Sequence, residues 1–456
     1  MAFPQALVRE LRATMVLSVP FVLTQLAQMS MSFVDVIMVG RLGPAAMAAA
    51  VLGSTIYFTL LMVCTGVVMA VNPMVAQAYG AGDAEEVSRS VRQGLWLATM
   101  LGIPLVLILQ PAGWLMQLLG QERHIAVLAD SYLWAMSWGI FPNLWFTALR
   151  GFCEGLGRPR PVLIVTLVAI ALNVFGNWVL MYGKFGFPAL GLEGCGWSSA
   201  IVYGGLFLMT LAYVQYDRGF RLYQVFSTIR KPDREHFQTL LRLGWPIGTQ
   251  FGLEAGLFLT ATLLVGLFGE AALAAHQVAL NASSVTFMVP LGIGMAATVR
   301  VGQLTGARNH GGAARAGWTA IAFGTLFMCC SALLFWLRPE WVVWLYTGQE
   351  TGGQVGEDVV KLAAVLLGVA AVFQIFDGLQ ATAAGSLRGL KDTRVPMLIG
   401  ALSYWVIGIG TALVLGFGLD WGARGVWWGL TLGLLTAAVL LNARFFRLTL
   451  HRRSVV

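Results

Sequence analysis

The chain contains an internal repeat that constrains its fold more than any other feature. Positions 17–82 recur at a constant offset of 226 without a gap, and 18 of these 66 positions are identical. The identical positions include Pro20 and Pro246, and they cluster in the glycine–alanine segments 39–49 and 265–275. Glycine motifs at 151–156 and 191–197 recur with small shifts at 385–390 and 422–428. The sequence therefore predicts two structurally similar halves.

Composition places both halves in a membrane. Hydrophobic residues make up 58% of the 456 positions, charged residues only 11%, and the mean hydropathy is +0.75. So little charge cannot solvate the surface of a large soluble protein, whereas an apolar run of about 20 residues can cross a bilayer as a helix. We predict an all-α integral membrane protein with twelve transmembrane helices, at roughly 14–38, 47–78, 91–111, 124–149, 161–182, 191–215, 238–267, 273–299, 316–337, 357–386, 395–416 and 421–443.

The basic residues predict the orientation of these helices. If both termini are cytoplasmic, 23 of the 29 lysines and arginines lie in cytoplasmic segments or in the span ends beside them. Such an excess is typical of the positive-inside rule. The net charge of +8 is then a topology signal, and no outward basic face interleaved with aromatic residues indicates nucleic-acid binding.

Six spans in each copy make the two repeats parallel. They are then related by a pseudo-two-fold axis along the membrane normal, a plan in which transporters bind substrate near the midplane between the repeats. We predict an N-lobe at 1–215 with transmembrane helices 1–6, a basic cytoplasmic linker at 216–237, and a C-lobe at 238–456 with helices 7–12.

Three acidic residues lie inside apolar spans, and in each case the other copy has a neutral residue. Asp35 is replaced by Ala261, Glu254 by Gln28, and Asp377 by Asn143. A charge at mid-bilayer costs about 2.5–3.5 kcal/mol on insertion scales. Such a group persists if it faces a wet cavity, binds a cation or holds a proton. The alternative is a neutral carboxylic acid that is hydrogen-bonded between helices.

Polar side chains are spaced to accompany these acids. Gln250 lies one helical turn before Glu254, and Asn173 and Asn177 share a helix face that we expect to look toward Asp35. The other candidate polar neighbours lie in spans 8 and 10: Gln277, Asn281, Ser283, Ser284, Gln374 and Gln380. A carboxylate with several amide and hydroxyl oxygens suits Na⁺, and a desolvated carboxylate can instead carry a proton. Both coupling ions stay open.

Other residues receive structural interpretations or none. His276, at the outer end of span 8, is predicted to be a hydrogen-bonded residue rather than a member of a proton relay. Pro20 and Pro246 fall inside spans 1 and 7, where each removes a helix hydrogen bond and permits a gating bend. The five cysteines form no C-x-x-C pair, so we expect packing roles and no bound metal.

Nothing in the chain has the pattern of a catalytic site. There is no H-E-x-x-H, no G-x-S-x-G and no G-x-G-D motif, which argues against an intramembrane hydrolase. A channel is disfavoured because a selectivity pore does not need two lobes that rock against each other. We therefore expect a transporter that has no catalytic residues and no cofactor, with Na⁺ or H⁺ as its coupling ion.

The chain resembles the multidrug and toxic compound extrusion (MATE) family, in its NorM-like branch. The resemblance spans essentially the whole chain and rests on four segments: Gln25–Gly40 in span 1, Pro73–Gly80, Ala275–Gly292 in span 8, and Leu387–Arg394 after span 10. It implies two six-helix lobes around a V-shaped cleft, and export of lipophilic, often cationic compounds in exchange for Na⁺ or H⁺. The cation-site carboxylates of the family fall on Glu254 and Asp377, and its span 1 acid falls on Asp35.

The chain also departs from the family pattern. Asn177 stands where some relatives have a span 5 acid, and Phe373 cannot supply the aromatic hydroxyl that some relatives place before the span 10 acid. A flippase for lipid-linked precursors stays as the alternative function. A flippase for an anionic pyrophosphate needs basic residues in its cavity, and we assign almost all of the 29 lysines and arginines to loops or span ends. We further expect a functional monomer in the bacterial inner membrane.

The predicted orientation is tested by labelling an introduced cysteine in the linker. Arg230→Cys, in a background without the five native cysteines, should not react with a membrane-impermeant maleimide in intact cells. The same variant should react in inverted vesicles, which serve as the control. Efficient labelling in intact cells would reverse the orientation.

Overall fold

The computed structural model describes residues 2–118, 120–226, 233–347 and 354–451. Throughout this part of the chain the regular structure is helical and no strand is found, so the all-α prediction is confirmed. The first copy of the repeat forms α1 (Ala2–Gly40), α2 (Pro44–Val68), α3 (Val71–Gly80), α4 (Ala84–Leu109), α5 (Ala112–Leu118), α6 (Arg123–Ser137), α7 (Ile140–Gly155), α8 (Arg160–Tyr182) and α9 (Leu192–Tyr216). The short α10 (Arg218–Arg221) follows.

The second copy begins with four long helices interrupted by one short one. These are α11 (Arg234–Gly266), α12 (Glu270–Gly306), α13 (His310–Leu337), α14 (Pro339–Thr347) and α15 (Gln354–Gly389). The next span is continuous from Arg394 to Gly418 but changes its winding along its length. It runs through α16 (Arg394–Ala401), the π-helical segment π1 (Leu402–Ile409), α17 (Gly410–Leu413) and the π-helical segment π2 (Val414–Gly418). The described chain ends with α18 (Gly422–His451).

Eleven helical stretches of the described chain are long and apolar enough to cross a membrane, so this is a multi-pass membrane protein. The remaining predicted span, 124–149, is divided between α6 and α7, which meet at Trp138 and Gly139. A Cβ on Gly139 would lie 2.8 Å from Tyr203 Cδ2 and 3.1 Å from Ala200 Cα. The break therefore coincides with a close approach to α9 that only glycine allows.

The backbone repeats together with the sequence. Gly43 and Gly269, which precede α2 and α12, have φ angles of +108° and +104°. Residues with a Cβ rarely adopt this region, so glycine is required in both copies. Asp83 and Asn309 cap α4 and α13, and each side chain accepts a hydrogen bond from the backbone N–H three residues later, at 2.9 and 2.8 Å. The duplicated sequence thus builds the same turns and helix starts twice.

Contacts divide the described chain into two compact units. One, here called the C-unit, consists of the described parts of Met1–Val22 and Gln250–Val456; the other, the N-unit, consists of those of Leu23–Thr249. The division therefore falls inside α1 and α11, shortly after Pro20 and Pro246. It is a division by packing, and the lobes at 1–215 and 238–456 stay a prediction from the repeat. Linker positions 227–232 lie outside the described residues.

The C-unit is organised around the packing of α12 against α15. Thr298 Oγ1 donates a hydrogen bond to the Gly385 carbonyl oxygen at 2.8 Å, and a Cβ on Gly389 would lie 2.7 Å from the Thr298 carbonyl oxygen. A Cβ on Gly385 would collide with the Gly294 carbonyl group. Small residues permit this approach, which is the usual way that helices associate tightly without a hydrophobic driving force.

The glycine at this contact can be tested with a matched pair of substitutions on one helix. Gly385→Ala should lower the free energy of unfolding by about 1–3 kcal/mol, because the added methyl group overpacks against a rigid backbone. Gly368→Ala is the control, since nothing lies within 4 Å of its Cβ and alanine is the better helix former by up to about 1 kcal/mol. Thermal unfolding of purified protein in detergent measures both. Equal midpoints for the two variants would contradict the packing described.

Candidate functional site

Glu254 and Asp377 converge in the C-unit, although they come from different helices. Asp377, on α15, is only 4% exposed, and its Oδ1 accepts a hydrogen bond from Gln380 Nε2 at 3.2 Å. The Gln380 side chain also hydrogen-bonds Glu254, on α11. Two carboxylates therefore share one amide in the interior of the unit. The first copy places the neutral Gln28 and Asn143 at the corresponding positions.

Tyr404 completes this cluster and was not found from the sequence. Its hydroxyl donates to Gln380 Oε1 at 2.7 Å, and the side chain is fully buried. Because the amide oxygen is held in this way, the amide N–H groups face the carboxylates. Tyr404 lies in π1, and π-helical turns often re-aim side chains at functional sites. The hydroxyl that Phe373 cannot supply thus reaches the cluster from the next span.

The predicted glutamines have different surroundings. Gln250 lies beside the cluster, where its Oε1 faces Arg388 Nη2 at 3.5 Å and its side chain hydrogen-bonds Tyr404. Gln374, also fully buried, instead accepts hydrogen bonds from Thr286 Oγ1 at 3.0 Å and Ser331 Oγ at 3.1 Å. It belongs to a separate polar contact among α12, α13 and α15. Gln250 and Gln380 therefore accompany the carboxylates, and Gln374 does not.

The polar residues of span 8 do not join the carboxylate cluster. Asn281 Nδ2 donates to the backbone carbonyl of Gln277 at 2.8 Å, and the side chain of Gln277 is exposed. Ser284 Oγ likewise bonds within its own helix, to the Leu280 carbonyl at 2.8 Å. Ser283 is buried, and its Oγ has no hydrogen-bond partner. Among the described residues, none of these α12 side chains is hydrogen-bonded to Glu254 or Asp377.

His276 is held as a neutral structural residue, in line with its sequence interpretation. Trp427 Nε1 donates to His276 Nδ1 at 3.1 Å, so Nδ1 must be the unprotonated nitrogen. His276 Nε2 lies 3.0 Å from Thr262 Oγ1, whose own proton goes to the Phe258 carbonyl at 2.9 Å. The ring therefore accepts at one nitrogen and donates at the other. This arrangement leaves no free position for a relayed proton.

Asp35 forms a second acidic site, in the N-unit. Its Oδ1 accepts from Asn173 Nδ2 at 3.0 Å and from Asn177 Nδ2 at 2.6 Å, as the spacing of the two asparagines on α8 predicts. Both asparagines are fully buried, and neither side-chain carbonyl oxygen has a hydrogen-bond partner. The site thus presents one carboxylate and two unused amide oxygens, which are ligands for a proton donor or a small cation.

The N-unit also contains a largely buried ion pair, which the sequence analysis did not identify. Glu154 is 2% exposed and accepts from Arg150 Nε at 2.6 Å and from Asn72 Nδ2 at 3.1 Å. The Arg150 guanidinium also donates to Gln25 Oε1 at 2.8 Å and Gln28 Oε1 at 3.2 Å. The available signal was the i, i+4 spacing of Arg150 and Glu154.

Three arginines that the sequence assigned to span ends contact neighbouring helices. Arg150, Arg300 and Arg388 lie within α7, α12 and α15. Each lies one or two residues beyond its predicted apolar span, and its guanidinium group contacts a residue on α1 or α11. Such arginines bear on substrate charge, because they can face the protein interior.

Pro20 and Pro246 lie close to the points at which the chain passes from one unit to the other. Pro20 lies in α1 just before the residue at which that helix passes from the C-unit to the N-unit, and Pro246 lies in α11 just before the opposite transition. Both helices continue through their prolines. A missing helix hydrogen bond at each transition makes these points suitable for bending. A gating role stays a prediction.

Comparison with known proteins gives consistent matches along nearly the whole chain. The sequence model of the MatE family matches residues 20–179 and 246–414, once in each copy of the repeat. A probable multidrug resistance protein NorM from Mesorhizobium japonicum is 40% identical over 96% of this chain and 94% of its own length. The protein of the same name from Synechococcus is 40% identical over 97% of this chain and 95% of its length.

Solved structures share the fold at lower identity. The eukaryotic MATE transporter AtDTX14 superposes with a TM-score of 0.87 at 21% identity, covering 98% of this chain and 99% of its own. A MOP superfamily transporter from Pyrococcus furiosus, described as having a binding pocket of reverse polarity, superposes with a TM-score of 0.87 at 20% identity, covering 97% of each chain. Such likeness identifies the architecture and leaves the chemistry of the sites to the residues above.

The role of Tyr404 can be tested by removing its hydroxyl. Tyr404→Phe should lower the free energy of unfolding by about 0.5–1.5 kcal/mol, because a buried hydrogen bond to Gln380 is lost while the ring is kept. Tyr216→Phe is the matched control, because that side chain is 75% exposed. Thermal unfolding reports both changes. An unchanged midpoint for Tyr404→Phe would mean that its hydroxyl does not hold the amide.

Proposed function

The chain belongs to the MATE family of transporters and is not an enzyme; from this premise we propose that it is a cation-coupled multidrug antiporter. Inward movement of Na⁺ or H⁺ drives the export of lipophilic, often cationic compounds. The names of its bacterial relatives support multidrug export. The transporter acts as a monomer in a bacterial inner membrane, with both termini in the cytoplasm.

The observation that carries this proposal is the contact of Glu254 and Asp377 with one amide, that of Gln380. Two carboxylates in a membrane interior repel each other, and removing them from water costs several kcal/mol for each ion. A Na⁺ between them, or a proton on one of them, offsets that cost. The oxygens of the cluster suit either species, so the coupling ion is left as Na⁺ or H⁺.

Coupling follows from the difference between the loaded and the empty cluster. A cation that binds Glu254 and Asp377 more tightly in one arrangement of the protein shifts the population toward that arrangement. Release of the cation on the other side of the membrane then favours the return. In this way the ion gradient biases alternating access, and Pro20 and Pro246 provide the bends.

Asp35 acts separately, on the substrate or on a proton. It lies in the N-unit with Asn173 and Asn177, whereas the carboxylate pair lies in the C-unit. A carboxylate with unused amide oxygens can attract a cationic compound or exchange a proton with it. Under this division of labour, coupling centres on Glu254 and Asp377.

The flippase alternative requires free positive charge for an anionic pyrophosphate. Of the three arginines that contact neighbouring helices, Arg150, Arg300 and Arg388, two are already paired with carboxylates. Arg150 Nε binds Glu154 at 2.6 Å, and Arg300 binds Glu10 through two nitrogens at 2.8 and 3.1 Å. Paired guanidinium groups offer little to a phosphate. The Pyrococcus furiosus transporter has the same fold, and its binding pocket is described as having reverse polarity. The fold alone therefore does not decide the charge of the substrate.

Restoring the first-copy residues tests the carboxylate pair. The double variant Glu254→Gln and Asp377→Asn should fold, because the first copy holds these amides at equivalent positions, and its thermal stability should equal or exceed that of the parent. It should lose gradient-driven efflux of a fluorescent lipophilic cation from proteoliposomes. Na⁺ and pH gradients are imposed separately, so that the parent protein identifies the coupling ion.

Asp35→Asn is the informative comparison in the same assay. It should reduce efflux while leaving the cation-dependent change in thermal stability intact, because the C-unit pair is unaltered. Full gradient-driven efflux by the double variant would remove the basis of the proposal. Transport of a fluorescent lipid-linked pyrophosphate, with no export of the cation by the parent, would favour the flippase instead.

A further inference from the structure

Arg388 is a partly buried basic residue to which the proposed function assigns no role. It lies in the last turn of α15, on the helix face that also carries Asp377 and Gln380. Its guanidinium carbon is 4.9 Å from the centre of the Phe251 ring, and its Nη2 faces Gln250 Oε1 at 3.5 Å. The Nε–H is buried and has no hydrogen-bond partner. The guanidinium group is therefore held by few direct interactions for a partly buried charge.

The equivalent region of the N-unit contains Arg150, whose guanidinium group is hydrogen-bonded on several sides. Gln25 and Gln28 occupy the repeat positions of Phe251 and Glu254. The Arg150 guanidinium donates to both glutamines, at 2.8 and 3.2 Å, and forms an ion pair with Glu154 at 2.6 Å. Both units thus bring a guanidinium to the same pair of positions on α1 or α11. Only in the N-unit is that guanidinium fully engaged.

Glu254 is the acidic group that interacts electrostatically with Arg388. Each of the two groups acts electrostatically on the other, and the further titratable groups facing Glu254 are Asp377 and Tyr404. Within the described residues, however, no carboxylate lies at ion-pair distance from Arg388. Glu254 is instead bound to Gln380. Arg388 is thus close to Glu254 but does not touch it.

We propose that Arg388 is an internal counter-cation that competes with the transported cation for Glu254. While a cation neutralises the Glu254–Asp377 pair, the guanidinium rests on Phe251 and Gln250. When the cation leaves, the guanidinium moves onto Glu254. An arginine suits this exchange because its planar, weakly hydrated group binds an aromatic face or a carboxylate. The inference rests on the proposed function and deepens it.

The competition has a consequence for cation release. Without Arg388, the emptied pair would be left as two neighbouring carboxylates, one buried and one partly buried, with no compensating charge, so the bound cation would be retained. With Arg388, one carboxylate gains a tethered partner on release. Arg388 therefore lowers the affinity of the cluster for its cation and speeds turnover. It acts as a positioning residue and does not bind the drug.

Two substitutions with opposite predicted effects test the competition. Arg388→Gln removes the competitor, so the Na⁺ concentration that gives half of the thermal stabilisation should fall about tenfold or more, which corresponds to about 1.4 kcal/mol. Phe251→Leu removes the aromatic resting place without removing a hydrogen bond, so the same midpoint should rise. Arg424→Gln, an exposed arginine on α18, is the control and should leave the midpoint unchanged. If the parent responds to pH instead, protonation is titrated in the same way.

The outcomes separate the inference from the function on which it rests. Opposite shifts for Arg388→Gln and Phe251→Leu support the competition, and in the Glu254→Gln background both shifts should vanish. If the parent responds to the cation but both variants share its midpoint, the counter-cation role is wrong and the proposed function stands. If the parent shows no response to Na⁺ or pH, both fall. Should Arg388→Gln not fold, the Phe251→Leu midpoint still decides.

Discussion

The hydrocarbon interior of a membrane offers no partner to a charged side chain, so a buried charge must find its partner among the side chains of the protein itself. The pairs that meet this requirement locate the chemistry of this transporter. Glu154 is satisfied by Arg150 and Asn72, and Asp35 by two asparagine amides. Glu254 and Asp377 share a single amide. The least satisfied pair is the one to which a mobile cation contributes most.

The two copies of the repeat place different side-chain networks on similar helices. In the N-unit, an arginine and neutral glutamines form a closed hydrogen-bonded network on α1 and α7. In the C-unit, carboxylates replace the amides and the arginine is left with one long contact and an aromatic face. A network that is already complete has nothing to exchange. At these equivalent positions the incomplete network lies in the C-unit, which is where we propose that ion coupling takes place.

The π-helical winding in the eleventh predicted span places a tyrosine in the cluster of Glu254, Asp377 and Gln380. Tyr404 lies in π1, and its hydroxyl reaches Gln380 on α15. That contact orients the amide whose N–H groups bind Asp377 and Glu254. Because the tyrosine belongs to a different helix from either acid, movement of that helix would alter both carboxylates at once. A single hydroxyl therefore links the backbone of one span to the proposed ion site.

The sequence by itself determined the membrane character, the duplication and the three exceptional acids, because apolar runs, identities and unmatched charges are properties of the chain. It also placed Asn173 and Asn177 together beside Asp35, since residues four apart share a helix face. It could not distinguish Gln380 from Gln374, find Tyr404, or see that Arg150 and Arg388 turn inward. Helical periodicity says which residues share a face, but only the packing of neighbouring helices decides what that face meets. The break between α6 and α7 likewise coincides with a tertiary contact, the close approach of Gly139 to α9, which no local pattern records.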